Sequence, residues 1–323
     1  MATPNTNYDD ILTSTLRLRS EVAFDNMSNH NALLRRLKKN GNIKKLKGGT
    51  YIVENLRYQE NANFKNYSGY ETLDVTPSNI LTAAEFSWKQ CGAAVTISGL
   101  ELRQNAESKT RILDLMETRI LNTEETMFNQ VSTQLYSAGT DSKAIGGLQL
   151  LVPDDPTTGT VGGINRATAA NAFWRSKLYD FSVAGATPGS ATIQTAMINL
   201  WLQTVRGIDK PDLIVADNLY WTYYWQSLTA NQRFVNEDDS ASAGFKALEF
   251  MQAPVIFDTG GGCPASHMYF LNTKYIYFKV HQDANFAPLD ERQPVNQDAI
   301  IKPIILQSNM TLSNAARQGV IIA

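Results

Sequence analysis

The chain has 323 residues, 43% hydrophobic and 19% charged, with a formal net charge of −2, enough apolar residues for a real core at a length beyond the usual single domain. The near-neutral balance argues against a dedicated nucleic-acid binder, and two cysteines, Cys91 and Cys263, fit neither a disulfide scaffold nor a thiolate metal site. No window approaches the roughly 20 apolar residues of a transmembrane span, and no signal-peptide pattern opens the chain.

Asp9 to Lys39 is predicted to be helical, in one or two pieces. Ile11, Leu12, Leu16, Leu18, Val22 and Phe24 supply the apolar positions of the first part, and Leu33, Leu34 and Leu37 those of the second, after a softer stretch from Asn26 to His30. From Ala32 to Lys47 there are seven basic residues (Arg35, Arg36, Lys38, Lys39, Lys44, Lys45 and Lys47) and no acidic one. Such a run reads as an electrostatic contact with an acidic neighbour or with nucleic acid, or as a solvated helix face, which is its commoner meaning.

Gly48-Gly49 closes the basic run, and a strand follows from Thr50 to Tyr58. A polar tip containing Asn61, Asn63, Lys65, Asn66, Ser68 and Gly69 leads to a second extended piece, Ile80 to Gln90. There Ala84, Phe86 and Trp88 share one face while Glu85, Ser87 and Lys89 share the other. A two-stranded ribbon with one mildly apolar face is marginal alone in water, so it needs a partner surface, either on its own domain or on another subunit.

After a short strand from Ala93 to Ile97, Ser98-Gly99-Leu100-Glu101 matches a capping box. A long helix is predicted behind it, pausing near Asn105 and resuming at Ser108. Ile112, Leu113, Met116, Ile120, Met127, Phe128, Val131 and Leu135 form one stripe, with Arg119, Glu124 and Glu125 at the polar positions between, and Gly139 as the stop. It reads as a spine lying on a sheet.

A loop rich in Pro, Gly and Thr runs from Pro153 to Gly163. A helix over Ile193, Met197, Leu200, Trp201 and Val205 closes at Gly207. A buried strand, Leu213 to Ala216, then leads through Asp217 or Asn218 into an aromatic helix carrying Tyr220, Trp221, Tyr223, Tyr224 and Trp225, which reads as core or interface packing rather than a base-stacking platform. Strands around Pro254 to Asp258, Met268 to Asn272, Tyr275 to Val280 and Ala299 to Gln307, and a last run from Gly319 to Ile322, make this an α+β chain with a mixed sheet.

Catalytic patterns are missing from the sequence. Gly260 to Gly262 fits no phosphate-cradle motif, and no HExxH occurs. Asp154-Asp155 and Glu237-Asp238-Asp239 sit in polar stretches that read as solvated turns, and nothing flanks His267 or His281 as a nucleophile motif would. Asn26-Met27-Ser28 and Asn309-Met310-Thr311 match the glycosylation pattern, which means little without a signal peptide.

Several phrases, in order, resemble the major capsid proteins of tailed bacteriophages, which have the Hong Kong 97-type fold. They are Val95-Thr96-Ile97-Ser98-Gly99 ahead of the long helix; Gly146-Gly147-Leu148 followed by Gly162-Gly163-Ile164-Asn165-Arg166 and Trp174-Arg175; Gly244-Phe245-Lys246-Ala247-Leu248 through Ala253-Pro254-Val255-Ile256; and Asn314-Ala315-Ala316-Arg317-Gln318-Gly319-Val320. The resemblance spans nearly the whole chain. It implies an N-terminal arm over 1–47, an extended loop over 48–90, a peripheral domain with the spine helix over 91–145, an axial domain over 146–265, and strands over 266–323 that complete both domains. It also implies a head shell in the virion, assembled in the host cytoplasm from hexamers and pentamers around double-stranded DNA. A portal, a separate scaffolding protein and, in some cases, a decoration protein would be its partners, with no membrane, cofactor, metal or catalytic site. Inter-subunit contacts are expected at Arg35, Arg36, Lys38, Lys39, Tyr51, Arg57, Tyr58, Lys65, Tyr67, Tyr70 and Glu71. The lysine–asparagine crosslink of some relatives is not carried over, because Lys65 and the nearby asparagines match no such motif. An encapsulin-type compartment, which shares this fold, stays open as the alternative.

Overall fold

The computed structural model describes residues 31–61, 63–73, 75–77, 79–104, 109–228, 248–258, 262–290 and 292–323, with the side chains of 102, 104 and 109–117 left out. The expected helix from Asp9 to Phe24, the acidic triplet Glu237 to Asp239 and the Gly244 to Ala247 phrase therefore lie outside the described residues.

The first described helix, α1 (Ala32–Lys39), is capped by Asn31, whose side chain accepts a hydrogen bond from the Leu34 amide at 3.1 Å. Its Ala32, Leu33, Leu34 and Leu37 are buried. Next come β1 (Ile43–Leu46), β2 (Tyr51–Arg57), β3 (Leu81–Ser87) and β4 (Lys89–Ser98), with Trp88 alone separating the last two. The sequence reading kept residues 43–46 in an arm. They form a strand instead, hidden by two central lysines that are both exposed while Ile43 and Leu46 are half-buried.

Helix α2 (Gly99–Gln104) begins with the expected reciprocal cap. The Ser98 amide donates to Glu101 Oε2 at 3.1 Å, and the Glu101 amide donates to Ser98 Oγ at 3.2 Å. The long helix α3 (Lys109–Gln134) has 26 residues, about 39 Å at the α-helical rise. Ile120, Met127, Phe128, Val131 and, just past the helix end, Leu135 are buried. Glu124, read as a polar position, is buried with them at 5% exposure, because the 120–124–127–131 spacing places it on the same stripe. Gly147 closes over the helix end: the Leu148 amide donates to Leu135 O at 2.7 Å. A Cβ on Gly147 would stand 2.1 Å from the Ser137 amide nitrogen.

The remaining elements are α4 (Leu148–Leu151), β5 (Thr160–Val161), β6 (Ile164–Asn165), β7 (Lys177–Asp180), α5 (Ile193–Thr204), β8 (Leu213–Ala216), α6 (Asn218–Ser227), β9 (Leu248–Phe250), β10 (Ala253–Phe257), β11 (Met268–Leu271), β12 (Ile276–His281), β13 (Ala287–Pro288), β14 (Ala299–Leu312) and β15 (Gly319–Ile322). One mixed sheet runs β1-β12-β14-β13, with β4 also on β14. The second runs β7-β15-β11-β8-β10-β9, and β2 with β3 forms a ribbon of its own. In the second sheet alternate residues serve two cores. Leu213, Val215, Tyr269 and Val320 join the core shared with α1, α3 and the first sheet, whereas Ile214, Ala216, Phe270 and Ile321 pack in the core of α5 and α6. Burial on both faces explains why these strands read as continuous apolar runs. Tyr220 and Tyr224 of α6 are core residues, as the aromatic pattern suggested.

The Gly162 to Arg175 phrase is built around one cation. Arg166 is 1% exposed, and its guanidinium donates to the carbonyls of Trp174 at 3.1 Å, Leu150 at 3.1 Å and Leu151 at 2.5 Å. The Trp174 indole donates to Val161 O at 3.0 Å beside it. Burial pulls the guanidinium down to about 10, so it stays charged at neutral pH. A lysine ammonium, a point donor, cannot span three carbonyls in this fork. Arg166→Lys is expected to lower the unfolding free energy by about 2–4 kcal/mol in urea titration; a change below about 0.5 kcal/mol would contradict this account.

Candidate assembly surfaces

The ribbon alternates strictly. Ile52, Glu54 and Leu56 of β2 and Ala84 and Phe86 of β3 are buried, while Tyr51, Val53, Asn55 and Arg57 face outward. The register pairs Tyr51 with Ser87, Val53 with Glu85 and Arg57 with Leu81, which gives the outer face a mixed apolar and polar surface. The inner face packs into the core of its own chain, so within the described structure the ribbon's partner surface is its own domain. The Glu85 amide donates to Gly162 O at 2.9 Å, and Asn309 Nδ2 donates to Ser87 O at 2.7 Å.

One charged pair lies inside this contact. Lys279 Nζ is 2.6 Å from Glu54 Oε1, with side chains 10% and 11% exposed, and Thr311 Oγ1 donates to the same oxygen at 2.6 Å. Sequence reasoning missed Glu54. The signal was present, because a carboxylate stands on the apolar face between Ile52 and Leu56, but its partners lie more than 200 residues away.

Beyond the strands the tip is open. Phe64, Tyr67, Tyr70, Leu73 and Val75 are exposed at 85%, 59%, 106%, 53% and 89%, far more than scattered surface apolars need. Lys65 and Glu71 are exposed among them. Tyr58 is half-buried, with its ring 5.3 Å from that of Phe173, and Glu60 meets Arg206 at 3.0 Å where both are exposed.

The basic run divides. Arg36 Nε lies 3.4 Å from Asp212 Oδ2, and its guanidinium also donates to Asp212 O at 3.2 Å. Asn40 and Thr273 donate to the same carboxylate, joining α1 to the start of β8. Arg35 is half-buried, and Lys38, Lys39, Lys44, Lys45 and Lys47 are exposed, with Lys44 over the Tyr277 ring at 4.7 Å. Because β1 is an edge strand, its lysines discourage pairing with foreign strands.

Among the described residues, the acidic, histidine and cysteine side chains that the sequence singles out do not assemble a site. Asp155 accepts from the Thr157 amide in a turn, and Asp154 meets His267 Nε2 at 2.9 Å. Desolvation pushes the Cys91 and Cys263 thiols upward, away from the thiolate form. Among the described residues no group of three or more His, Cys, Asp or Glu side chains is placed to hold a metal ion, and no helix is long and apolar enough to cross a membrane.

The chain shares its fold with subunits of solved shells. The chain aligns with a subunit of the cyanophage A-1(L) capsid asymmetric unit at a TM-score of 0.65 and 16% identity, over 87% of this chain and 90% of that one. It has the Hong Kong 97-type capsid fold. The capsid of the empty GTA particle aligns at 0.57 and 11% identity, covering 88% of both chains. The SrpI encapsulin of Synechococcus elongatus PCC 7942 aligns at 0.53 and 8% identity, over 86% of this chain and 83% of that one. No protein-family model and no curated protein matches the sequence.

In this capsid fold the spine helix is fastened to the sheet by Arg119, which donates to Thr96 O at 2.6 Å and to Glu101 Oε1 at 2.5 Å. The Arg119 bond, then the Ser98 amide, hold the Glu101 carboxyl down at about 2. Its folded value lies below the unfolded one of about 4.3, so its stabilisation is complete above pH about 4.3 and is lost as pH falls towards 2. Thermal unfolding from pH 7 to 2 should show wild type and Glu101→Gln separated by a constant gap above pH about 5 that narrows below pH about 4. A gap unchanged down to pH 2 would contradict the assignment.

Proposed function

We propose that this chain is the major capsid protein of a tailed bacteriophage, self-assembling into the icosahedral shell that encloses its double-stranded DNA. The observation that carries this reading is the fold shared with a phage capsid subunit over nearly the full length of both chains. Two surface features support it. The exposed aromatic tip is too apolar to be left in water, and a neighbouring copy is the partner that every subunit of a shell possesses. Helices α5 and α6 contain no charged residue, yet Ile198, Leu202 and Leu219 are exposed on them; depletion of charge marks surfaces covered on assembly.

In this reading the β1-β12-β14-β13 sheet with α3 is the peripheral domain and the six-stranded sheet with α5 and α6 the axial domain. The latter meets its copies around the axes of hexamers and pentamers. Tyr51, Arg57, Tyr58, Lys65, Tyr67, Tyr70 and Glu71 contact the next subunit, and the basic residues from Arg35 to Lys39 face an acidic neighbour or the packaged DNA. A portal and a separate scaffolding protein complete the head, with a decoration protein in some shells, and assembly takes place in the host cytoplasm. Contacts that are individually weak hold because many are lost only together. The alternative is an encapsulin-type compartment; the phage reading is favoured by its higher TM-score, 0.65 against 0.53.

Deleting residues between Asn61 and Glu71 should leave a subunit with wild-type circular dichroism and melting that no longer sediments as shells. Normal shells from the deletion would contradict the role given to the tip.

A further inference from the structure

The ribbon leaves the body through two crossings, Gly48-Gly49 and Trp88. Gly48 and Gly49 hold φ of +144° and +122°, a region that side-chain-bearing residues rarely adopt. The Trp88 indole donates to Gly49 O at 2.8 Å, and its ring stands edge-on to His281 at 5.6 Å. The two legs are thus tied together at a base whose backbone can turn.

Above that base, most of what holds the ribbon down is apolar: Ile52, Leu56, Ala84 and Phe86. Such contact is non-directional and tolerates sliding. Beside the neutral hydrogen bonds to Gly162 O and Ser87 O, the Glu54–Lys279–Thr311 group is the tie that carries buried charge. A buried ion pair adds little net stability, but displacing either partner leaves a charge alone in the interior, so only a narrow range of ribbon angles satisfies it. The lever is long. Arg57 lies eight residues beyond Gly49, about 27 Å at the strand rise, so a turn of about 10° at the hinge moves it about 5 Å, more than the reach of a packing contact.

We infer that Glu54, Lys279 and Thr311 are positioning residues that set the angle of the ribbon on its subunit and, through it, the curvature and size fidelity of the shell. This rests on the proposed shell function. The pair limits the direction in which each tip is offered to its neighbour, and a closed shell of one size needs that direction kept within the narrow range that hexamers and pentamers share.

The test is the full chain, assembled with whatever scaffolding protein the wild type requires, and the shell diameters measured by electron microscopy. Wild type should give one diameter. Glu54→Leu combined with Lys279→Met removes both charges at similar volume. It should keep the wild-type circular dichroism and lose the single-diameter population, giving several sizes and open sheets. If the double variant fails to fold, Lys279→Arg, which keeps the charge and lengthens its reach, should show the same loss of uniformity. Uniform shells of wild-type diameter from whichever variant folds would overturn the inference. Wild type forming no shell would instead overturn the function on which it rests, before any variant is made.

Discussion

The hydrogen-bond ladder of β14 is the constraint on which the rest of the molecule depends. Over its 14 residues this strand pairs with β4 along Ala299–Ser308, with β13 at Ile304 and Ile305, and with β12 along Ser308–Leu312. Each partner brings something the fold needs. β4 continues into the ribbon on one side and into the capped start of α2 on the other, and its Thr96 carbonyl takes the Arg119 bond from the spine helix. β12 carries β1 and Lys279, and β14 itself supplies Thr311 and Asn309. Ribbon, spine and first sheet are therefore indexed to one strand.

Around that ladder polar groups, buried or half-buried, fix how the parts meet. Arg166 holds the loop after β6 to α4 through carbonyls alone, Arg36 and Asp212 join α1 to the second sheet, and Glu54 with Lys279 sets the ribbon on the first. An apolar contact alone would allow neighbouring registers; a charge with one satisfying geometry does not. In the proposed shell such indexing would keep the tip and the uncharged helix pair of each subunit at repeatable angles.

What was legible in the sequence follows the range of the interaction. The Ser98–Glu101 cap, the Ala84 and Phe86 alternation and the stripe of α3 are set within a few residues and were visible. Strand β1 was not, because Lys44 and Lys45 erase the alternation and its pairing with β12 spans the chain. Glu124 looked polar by type although its spacing placed it on the buried stripe. The ribbon's apolar face was evident, but nothing local says that Gly162 and Lys279 lie beneath it. Order of phrases carried the fold where no single phrase could, since the fold is shared with capsid subunits at only 16% and 11% identity.

The central claim is that this subunit builds a closed shell, and electron microscopy with sedimentation of the full chain, expressed alone and with a scaffolding protein, tests it most directly. The account predicts closed particles tens of nanometres across, with double-stranded DNA in those assembled during infection. A monodisperse monomer or small oligomer under both conditions would contradict it.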